Sequence, residues 1–374
     1  MTALAEEIRQ IITLGGPISV ERYMAIALTH PQHGYYMNRD PFGADGDFVT
    51  APEISQMFGE LLGLWSAEVW YRLGAPPRIN LVELGPGRGT LMFDALRAAK
   101  VVAGFRDALS VHLVEASPAL RRMQEQKLQA YSDIIEWRPS TDDLPEGPAI
   151  ILANEFFDAM PACQYVKTLN GWHERVIGHD GEGGLRCGLA PDPVPQIRAE
   201  AEQGSVLEIS FAAYETMQQL SAHVLEHGGA VLAIDYGHIA TGPSETLQAM
   251  RNHAAADPLA EPGEADITMH VDFANLARAA KSTGASVSGP VIQADFLTCL
   301  GLFERAAGLK RNADIRQAME IDHALLRLSG TGQETGIDGK PVPAMGALFK
   351  ALGVAAKDIG VLPGFEPRSA AVDR

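Results

Sequence analysis

Three glycines at alternate positions, Gly85, Gly87 and Gly89, follow the apolar residues of the segment LVELGPGRGTLMFDAL. Because glycine adopts positive φ and has no side chain, such a loop brings backbone against a ligand at the start of the next helix. A second apolar run further along the chain ends in Glu115. An acid at the end of the second strand of a nucleotide-binding fold accepts hydrogen bonds from ribose hydroxyls. The loop and the acid together indicate a nucleoside-binding site.

The spacing of the glycines argues against two common nucleotide-binding loops. A dinucleotide fingerprint, G-x-G-x-x-G, needs its third glycine at position 90, where this chain has threonine. A phosphate-binding loop needs a Gly-Lys-Ser/Thr sequence, which does not follow here. Pro86 and Arg88 also stiffen the loop and leave fewer free amides than a phosphate cradle requires. A nicotinamide dehydrogenase is therefore disfavoured, and we expect the sugar or amino-acid portion of a ligand at this loop.

A parallel sheet would place the loop and the acid side by side. Segments with the residue spacing of helices separate successive apolar runs. An earlier segment has one broad apolar face and predicts a single helix over 53–73. The predicted strands are 79–84, 111–115, 134–137 and 149–153, with helices at 90–102 and 118–131. Strands that alternate with helices form a doubly wound α/β fold. We therefore predict an α/β protein whose site lies at the carboxyl end of the sheet.

The chain divides into three predicted regions. Residues 1–75 form an N-terminal helical cap with an aromatic and glycine-rich lid loop, and residues 76–300 form the sheet core. Residues 301–374 form C-terminal helices and a final strand that packs on the core. Within the core, Asn170-Gly171 predicts the turn of a hairpin near 162–178. The polar insertion 237–270 is expected to be irregular.

Composition limits the class of protein. The 374 residues are 46% hydrophobic and 21% charged, which is typical of a globular protein. We expect no membrane insertion, because the chain has neither a stretch of 18 apolar residues nor a basic, apolar leader. The formal charge of −17 disfavours nucleic acid as a partner. The three cysteines form no CxxC motif, and we expect a reducing, cytoplasmic location.

Several motifs resemble a known family. ELGPGRGT and the later VEAS resemble the S-adenosylmethionine-dependent methyltransferases with a seven-stranded Rossmann-like sheet. HPQHGYYMNRDPFGADGDFVTAPEISQMFGELLGLW, ANEFFDAMPACQ, DPLAEPGEADITMHVDF and MGALFKALG resemble the MidA branch, which includes the arginine methyltransferase of respiratory complex I assembly. The resemblance spans nearly the whole chain. Met269 departs from it, since a smaller residue is expected there.

The resemblance implies S-adenosylmethionine as the cofactor. This cofactor carries an activated methyl group, so the protein needs to align the donor with the acceptor and exclude water. No metal is implied. The expected cofactor-binding residues are Thr50, Glu83, Gly85, Pro86, Gly87, Gly89, Glu115 and Ala116.

The resemblance also implies an acceptor site after the fourth predicted strand, where Asn154, Glu155 and Asp158 place an amide and two carboxyl groups within five residues. If the acceptor is arginine, its guanidinium stays protonated, and carboxylates would hold it and polarise one nitrogen. These three residues are the expected catalytic residues. The aromatic residues Tyr36, Phe48 and Phe157 are the expected substrate-binding residues.

The implied partner is a protein, a complex I subunit, and a homodimer is a further expectation. A catalytically idle assembly chaperone with the same fold is the alternative function. The intact glycines and the acids Glu115 and Glu155 disfavour it, because an idle protein has no need to keep them.

The acidic run 253–272 is open to three interpretations. It holds Asp257, Glu261, Glu264, Asp266 and Asp272 together with two histidines. A solvated loop, a docking surface for a basic peptide and a metal site all remain open. The metal site is the least favoured, because the residues show no recognisable ligand spacing.

Overall fold

The computed structural model describes residues 2–38, 50–335 and 341–366. Within these ranges no helix is both long enough and apolar enough to cross a membrane. Phe48 lies outside the described residues, so its predicted contact with substrate stays a prediction.

The described elements are listed in chain order. The strands are β1 Ile18–Ser19, β2 Ile79–Leu84, β3 Leu109–Val114, β4 Ile135–Arg138, β5 Ala149–Asn154, β6 Cys163–Thr168, β7 Gly171–His179, β8 Leu185–Pro193, β9 Val206–Ile209, β10 Gly229–His238, β11 Gln248–Arg251, β12 Ala254–Ala256, β13 Asp266–Thr268, β14 Val271–Asp272, β15 Ser286–Ile292, β16 Gln333–Thr335, β17 Pro341–Pro343 and β18 Phe349–Ala355. The helices are α1 Ala3–Gly15, α2 Val20–Thr29, α3 Tyr35–Asn38, α4 Ala51–Ile54, α5 Gln56–Arg72, α6 Thr90–Ala99, α7 Phe105–Ala108, α8 Pro118–Lys127, α9 Phe211–His227, α10 Phe273–Ser282, α11 Gln293–Cys299, α12 Leu302–Lys310, α13 Ile315–Ser329 and α14 Met345–Leu348.

The central sheet has the strand order β15-β18-β10-β5-β2-β3-β4, and the short β14 adds to β10. The five strands from β10 to β4 are parallel, and β18 runs antiparallel to both of its neighbours. Strands β2 and β5 are apolar and buried along almost their whole length, because helices cover both faces of the sheet. The predicted α/β fold with a seven-stranded sheet is confirmed.

The single helix predicted over 53–73 is wrong, because the structure has two helices there, α4 and α5. Ser55 separates them with φ −162° and ψ 138°, and its hydroxyl accepts a hydrogen bond from the N–H of Met57 at 3.2 Å. A serine that caps the second helix in this way ends the first one. Helix α5 then lies directly against α6, where a Cβ on Gly63 would be 2.5 Å from the carbonyl oxygen of Ala95.

The remaining strands form smaller sheets. Strands β6 and β7 form an antiparallel hairpin in which Thr168 pairs with Gly171, so the two turn residues are Leu169 and Asn170, one position before the predicted turn. The insertion 237–270 is not irregular: β11, β12 and β13 form a three-stranded antiparallel sheet in it. Strand β18 lies inside the central sheet, so the residues after 301 complete the sheet as well as packing on it. The domain boundaries at 75 and 300 stay predictions.

Candidate active site

The glycine loop connects β2 to α6 at the carboxyl end of the sheet. Gly85, Gly87 and Gly89 have φ values of +61°, +53° and +78°, in the left-handed region that side chains rarely adopt. A Cβ on Gly85 would lie 3.2 Å from Cδ2 of Phe156. The loop therefore needs glycine for its backbone conformation, and Gly85 needs it also because another loop lies close by.

A cavity of about 390 Å³, including its opening to solvent, lies against this loop. It brings together residues from three separate segments of the chain, 50–53, 83–91 and 154–155, and most of the lining residues were predicted for the site. The lining residues are Thr50, Pro52, Glu53, Glu83, Gly85, Pro86, Gly87, Arg88, Thr90, Leu91, Asn154 and Glu155. Among the described residues, six predicted site residues do not line it: Tyr36, Gly89, Glu115, Ala116, Phe157 and Asp158.

Glu83 is the penultimate residue of β2, beside the loop, and is only 3% exposed. Burial raises the pKa of its carboxyl to about 8, although a hydrogen bond from the Met92 backbone opposes the shift. Its Oε2 atom has no hydrogen-bond partner among the described residues. A buried oxygen without a partner at the cavity wall can accept a hydrogen bond from a ligand.

Glu115 is connected to the glycine loop through Gln124, a fully buried residue of α8. Glu115 accepts one hydrogen bond from the N–H of Ser117 at 2.7 Å and one from Nε2 of Gln124 at 3.0 Å. The same Nε2 atom donates to the carbonyl of Gly87 at 2.7 Å, and Oε1 of Gln124 accepts from the indole of Trp137 at 2.9 Å. Gln124 therefore fixes the relative position of the loop and the acid. A polar residue on the buried face of α8 was the available sequence signal, and sequence reasoning missed it.

Glu155 lies at the cavity wall in a left-handed conformation with φ +49°. Its Oε1 atom accepts hydrogen bonds from the N–H of Ala51 and from Nδ2 of Asn154, both at 3.3 Å. Burial, followed by repulsion from Asp158, raises the pKa of Glu155 to about 7. The buried Oδ1 atom of Asn154 has no partner among the described residues. Two of the three predicted catalytic residues, Asn154 and Glu155, therefore line the same cavity as the predicted cofactor-binding residues.

Asp158 lies in a second cluster of polar side chains, which contains two tyrosines. Tyr236 donates its hydroxyl to Oδ2 of Asp158 at 2.5 Å, and Tyr36 donates to Oδ1 of Asp266 at 2.7 Å. The charge of Asp158 acts on both tyrosines, so the two pairs lie close together. Burial raises the pKa of Asp158 to about 6. Tyr36 was predicted for the site, whereas Tyr236 and Asp266 were missed as partners because they lie far away in sequence.

Phe157 is only 3% exposed and packs in the apolar core, with its edge against the ring of Phe156. It also lines a second cavity together with Met160, His238 and Met269. Its contact with substrate stays a prediction.

The acidic run 253–272 has structural partners. Asp266 is buried and accepts from Tyr36, and Asp272 caps α10 by accepting the N–H of Asn275 at 2.9 Å. Glu261 and Glu264 both pair with Arg251. The part of the chain that the structure describes contains no group of three or more His, Cys, Asp or Glu side chains that could hold a metal ion.

Comparison with known proteins identifies the family of this chain. The family model described as "Putative S-adenosyl-L-methionine-dependent methyltransferase" matches residues 61–291. The chain belongs to this family. It is also 38% identical over 335 residues to the protein arginine methyltransferase NDUFAF7, mitochondrial, of Danio rerio, which covers 83% of this chain and 79% of that protein. The human protein of that name is 38% identical over 331 residues, covering 81% of this chain and 74% of the relative.

A solved structure supports the cofactor assignment. A protein from Burkholderia thailandensis, described as a "likely methyl transferase" and bound to S-adenosyl-homocysteine, has a TM-score of 0.84 and 28% identity, covering 97% of this chain and 94% of that one. The chain is an S-adenosylmethionine-dependent methyltransferase, and the predicted family, fold and cofactor are confirmed.

The residues of the cavity fit this cofactor. S-adenosylmethionine carries an amino group and ribose hydroxyls, and the unpartnered oxygens of Glu83 and Asn154 can accept hydrogen bonds from such groups. The glycine loop leaves its backbone open to close approach. The individual cofactor-binding and catalytic roles stay predictions.

Proposed function

We propose that this methyltransferase methylates arginine in a protein substrate, and that Glu155 is the residue that meets the acceptor. The observation that carries the proposal is the position of Glu155: it lies in the wall of the cofactor cavity, with the second carboxyl of Asp158 close enough to raise its pKa. A guanidinium ion placed there would relieve the repulsion between two buried carboxyl groups. The curated relatives in fish and human carry the name protein arginine methyltransferase, which supports arginine as the acceptor.

The proposed mechanism depends on few groups of the chain. When bound, S-adenosylmethionine supplies an activated methyl group. Glu155 accepts hydrogen bonds from the guanidinium and aligns one nitrogen toward the cavity. A nitrogen that gains a methyl group must lose a proton, and a carboxyl with a pKa of about 7 exchanges protons readily at neutral pH. Glu155 therefore takes that proton, and Asp158 supplies further negative charge around the cation.

The implied substrate is a complex I subunit, as the family resemblance indicates. The idle assembly chaperone is the second candidate. Against it stand the three glycines at positive φ and the unpartnered carboxyl oxygen of Glu83, which is costly in a protein that binds nothing there. A homodimer, a cytoplasmic location and the absence of a nucleic-acid partner are further proposals.

Two measurements test the function in sequence. Titration calorimetry with S-adenosylmethionine, with NAD as the control ligand, should show binding of the first alone. The purified chain is then incubated with radiolabelled S-adenosylmethionine and complex I subunits from the same organism, and the labelled residue is located by mass spectrometry. Label on arginine supports the proposal. Label on lysine would overturn the acceptor, and cofactor binding without transfer to any subunit would favour the chaperone.

A further inference from the structure

Asp235 is a fully buried acid near the carboxyl end of β10, where it follows the apolar residues 230–234. Its Oδ2 atom accepts hydrogen bonds from three consecutive backbone N–H groups, those of Phe156, Phe157 and Asp158, at 3.1, 3.0 and 3.2 Å. Its Oδ1 atom accepts the N–H of Tyr236 at 2.9 Å. The carboxylate is therefore surrounded by backbone donors.

The residue before Asp235 extends this arrangement by one position. The carbonyl of Ile234 accepts the N–H of Glu155 at 2.9 Å. Four consecutive N–H groups, those of 155–158, are thus all held by two adjacent residues of β10. The loop that carries both predicted catalytic carboxyl groups takes its shape from the neighbouring strand.

Glu155 needs such support, because φ +49° is unfavourable for a residue with a side chain. A conformation of this kind costs about 1–3 kcal/mol and persists only where surrounding contacts determine it. The bond to Ile234 holds the N–H of Glu155, and the bonds to Asp235 hold the three residues that follow. Together they turn Glu155 into the cofactor cavity and Asp158 toward Tyr236.

Asp235 forms no ion pair in the described part of the chain. Burial, followed by repulsion from Asp158 and Glu155, raises the pKa of its carboxyl well above the usual value, and the backbone hydrogen bonds from Asp158 and Phe157 oppose that shift. Lys350 is its register partner on β18, but the Lys350 ammonium donates to the carbonyls of Ala347 and Leu348. Burying a carboxylate in an apolar strand is costly unless hydrogen bonds satisfy it. Packing of the sheet alone does not explain an acid at this position, whereas the loop contacts do.

We infer that Asp235 is a positioning residue for methyl transfer: its carboxylate holds the loop 155–158 in the shape that presents Glu155 to the acceptor. The inference that catalysis depends on this shape rests on the proposed function of Glu155. The backbone contacts themselves do not depend on it, so the two can be tested separately.

The test compares Asp235→Asn with Asp94→Asn in the full-length protein. Asp94 is a matched control, since it is also a buried acid, 5% exposed, but it lies on α6 and pairs with Arg97 at 2.9 Å. We call the hydrogen bonds from the N–H groups of 156–158 to Asp235 the clamp. Asn at 235 keeps one oxygen for the loop, but its NH₂ group faces a backbone donor, so the clamp is weakened. Amide hydrogen exchange of residues 155–158 is measured in all three proteins. Cofactor affinity, melting temperature, kcat and KM are measured in parallel.

In the wild type, we expect the amides of 155–158 to exchange at least tenfold more slowly than the amides of exposed turns. Asp235→Asn should remove most of that protection and lower kcat at least tenfold, with cofactor affinity changed less than threefold. Asp94→Asn should lower the melting temperature but change neither the loop exchange nor kcat. That split between kcat and cofactor affinity is not expected from a merely structural role.

Three different results would overturn the clamp, the positioning role of Asp235 and the proposed function of Glu155. Fast exchange of 155–158 in the wild type, which needs no variant to fold, would overturn the clamp. Unchanged kcat in a folded Asp235→Asn variant with a loosened loop would overturn the positioning role. Absence of methyl transfer to arginine by the wild type, with its loop protected, would instead overturn the proposed function of Glu155 while the clamp stands.

Discussion

The side-chain amide of Gln124 lies 3.0 Å from the carboxylate of Glu115 and donates a hydrogen bond to it. The same nitrogen donates to the carbonyl of Gly87 in the glycine loop. One buried amide therefore joins the loop after the first strand of the sheet's parallel half to the acid after the second. The two halves of the nucleoside site keep their spacing through a residue that does not itself line the cavity.

We expect Gln124→Met to weaken S-adenosylmethionine binding roughly tenfold, about 1.4 kcal/mol, because both Glu115 and Gly87 lose a donor. Calorimetry measures the dissociation constant directly. Gln219→Met is the control, since Gln219 also donates from a helix to a backbone carbonyl, that of Thr141 at 2.8 Å, but lies outside the cavity. Equal loss of affinity in both variants would show that Gln124 acts only through general stability.

We expect Gly85→Ala to abolish cofactor binding and Gly181→Ala to leave it intact. Both glycines have positive φ, +61° and +87°, so both variants incur a similar backbone cost of about 1–2 kcal/mol. A Cβ at 181 meets open space, whereas one at 85, in the cavity wall, meets the ring of Phe156. Gly85→Val should have the same effect more strongly. A folded Gly85→Ala protein, checked by circular dichroism, that still binds the cofactor would contradict the prediction.

We expect Glu155→Gln to lower kcat at least tenfold, about 1.4 kcal/mol or more, with cofactor affinity nearly unchanged. The pKa of Glu155 lies near 7, so the wild-type rate should fall as pH drops below 7 and the carboxylate gains a proton. The variant, which has no such group, should lose this acidic limb of the profile. Glu60→Gln serves as the control, since Glu60 is a buried carboxylate held by Arg97 and Arg305. An unaltered pH profile in Glu155→Gln would remove Glu155 from the proton transfer.

Local sequence patterns were enough to predict the strands and the glycine loop that carry the site. Mainly apolar runs predicted β2 and β5 to within a residue, because strands buried on both faces show no regular alternation of apolar and polar residues. The glycine spacing also predicted the loop, because positive φ depends on the local backbone and not on contacts with distant residues. Ser55 was a harder case, since one hydroxyl decides between one long helix and two.

Contacts between distant segments could not be predicted from these patterns. Gln124 is an ordinary helix residue by sequence, and its importance depends on Gly87 and Glu115 meeting it in space. Asp158 was grouped with Glu155 because they are three positions apart, yet the turn at Glu155 directs them to different partners. That turn is held by Ile234 and Asp235, which lie nearly eighty residues later in the sequence.

Glu83→Gln should raise stability and weaken cofactor binding at the same time. The pKa of Glu83 is about 8 in the folded protein against an ordinary 4.5, so between these values the folded chain holds a proton that the unfolded chain has released. The contribution of this group to the free energy of unfolding therefore falls as pH rises from about 4.5 to 8. We expect the melting temperature of the variant to exceed that of the wild type at pH 8, and the difference to vanish near pH 4.5. Glu68→Gln, at a half-exposed acid paired with Arg72, should show no such dependence. Calorimetry should show at least tenfold weaker S-adenosylmethionine binding by Glu83→Gln alone, because an NH₂ donor takes the place of the unpartnered acceptor oxygen Oε2 at the cavity wall. A melting difference that stays constant from pH 5 to 8 would show that burial of this carboxyl, and not its ionisation, sets the cost.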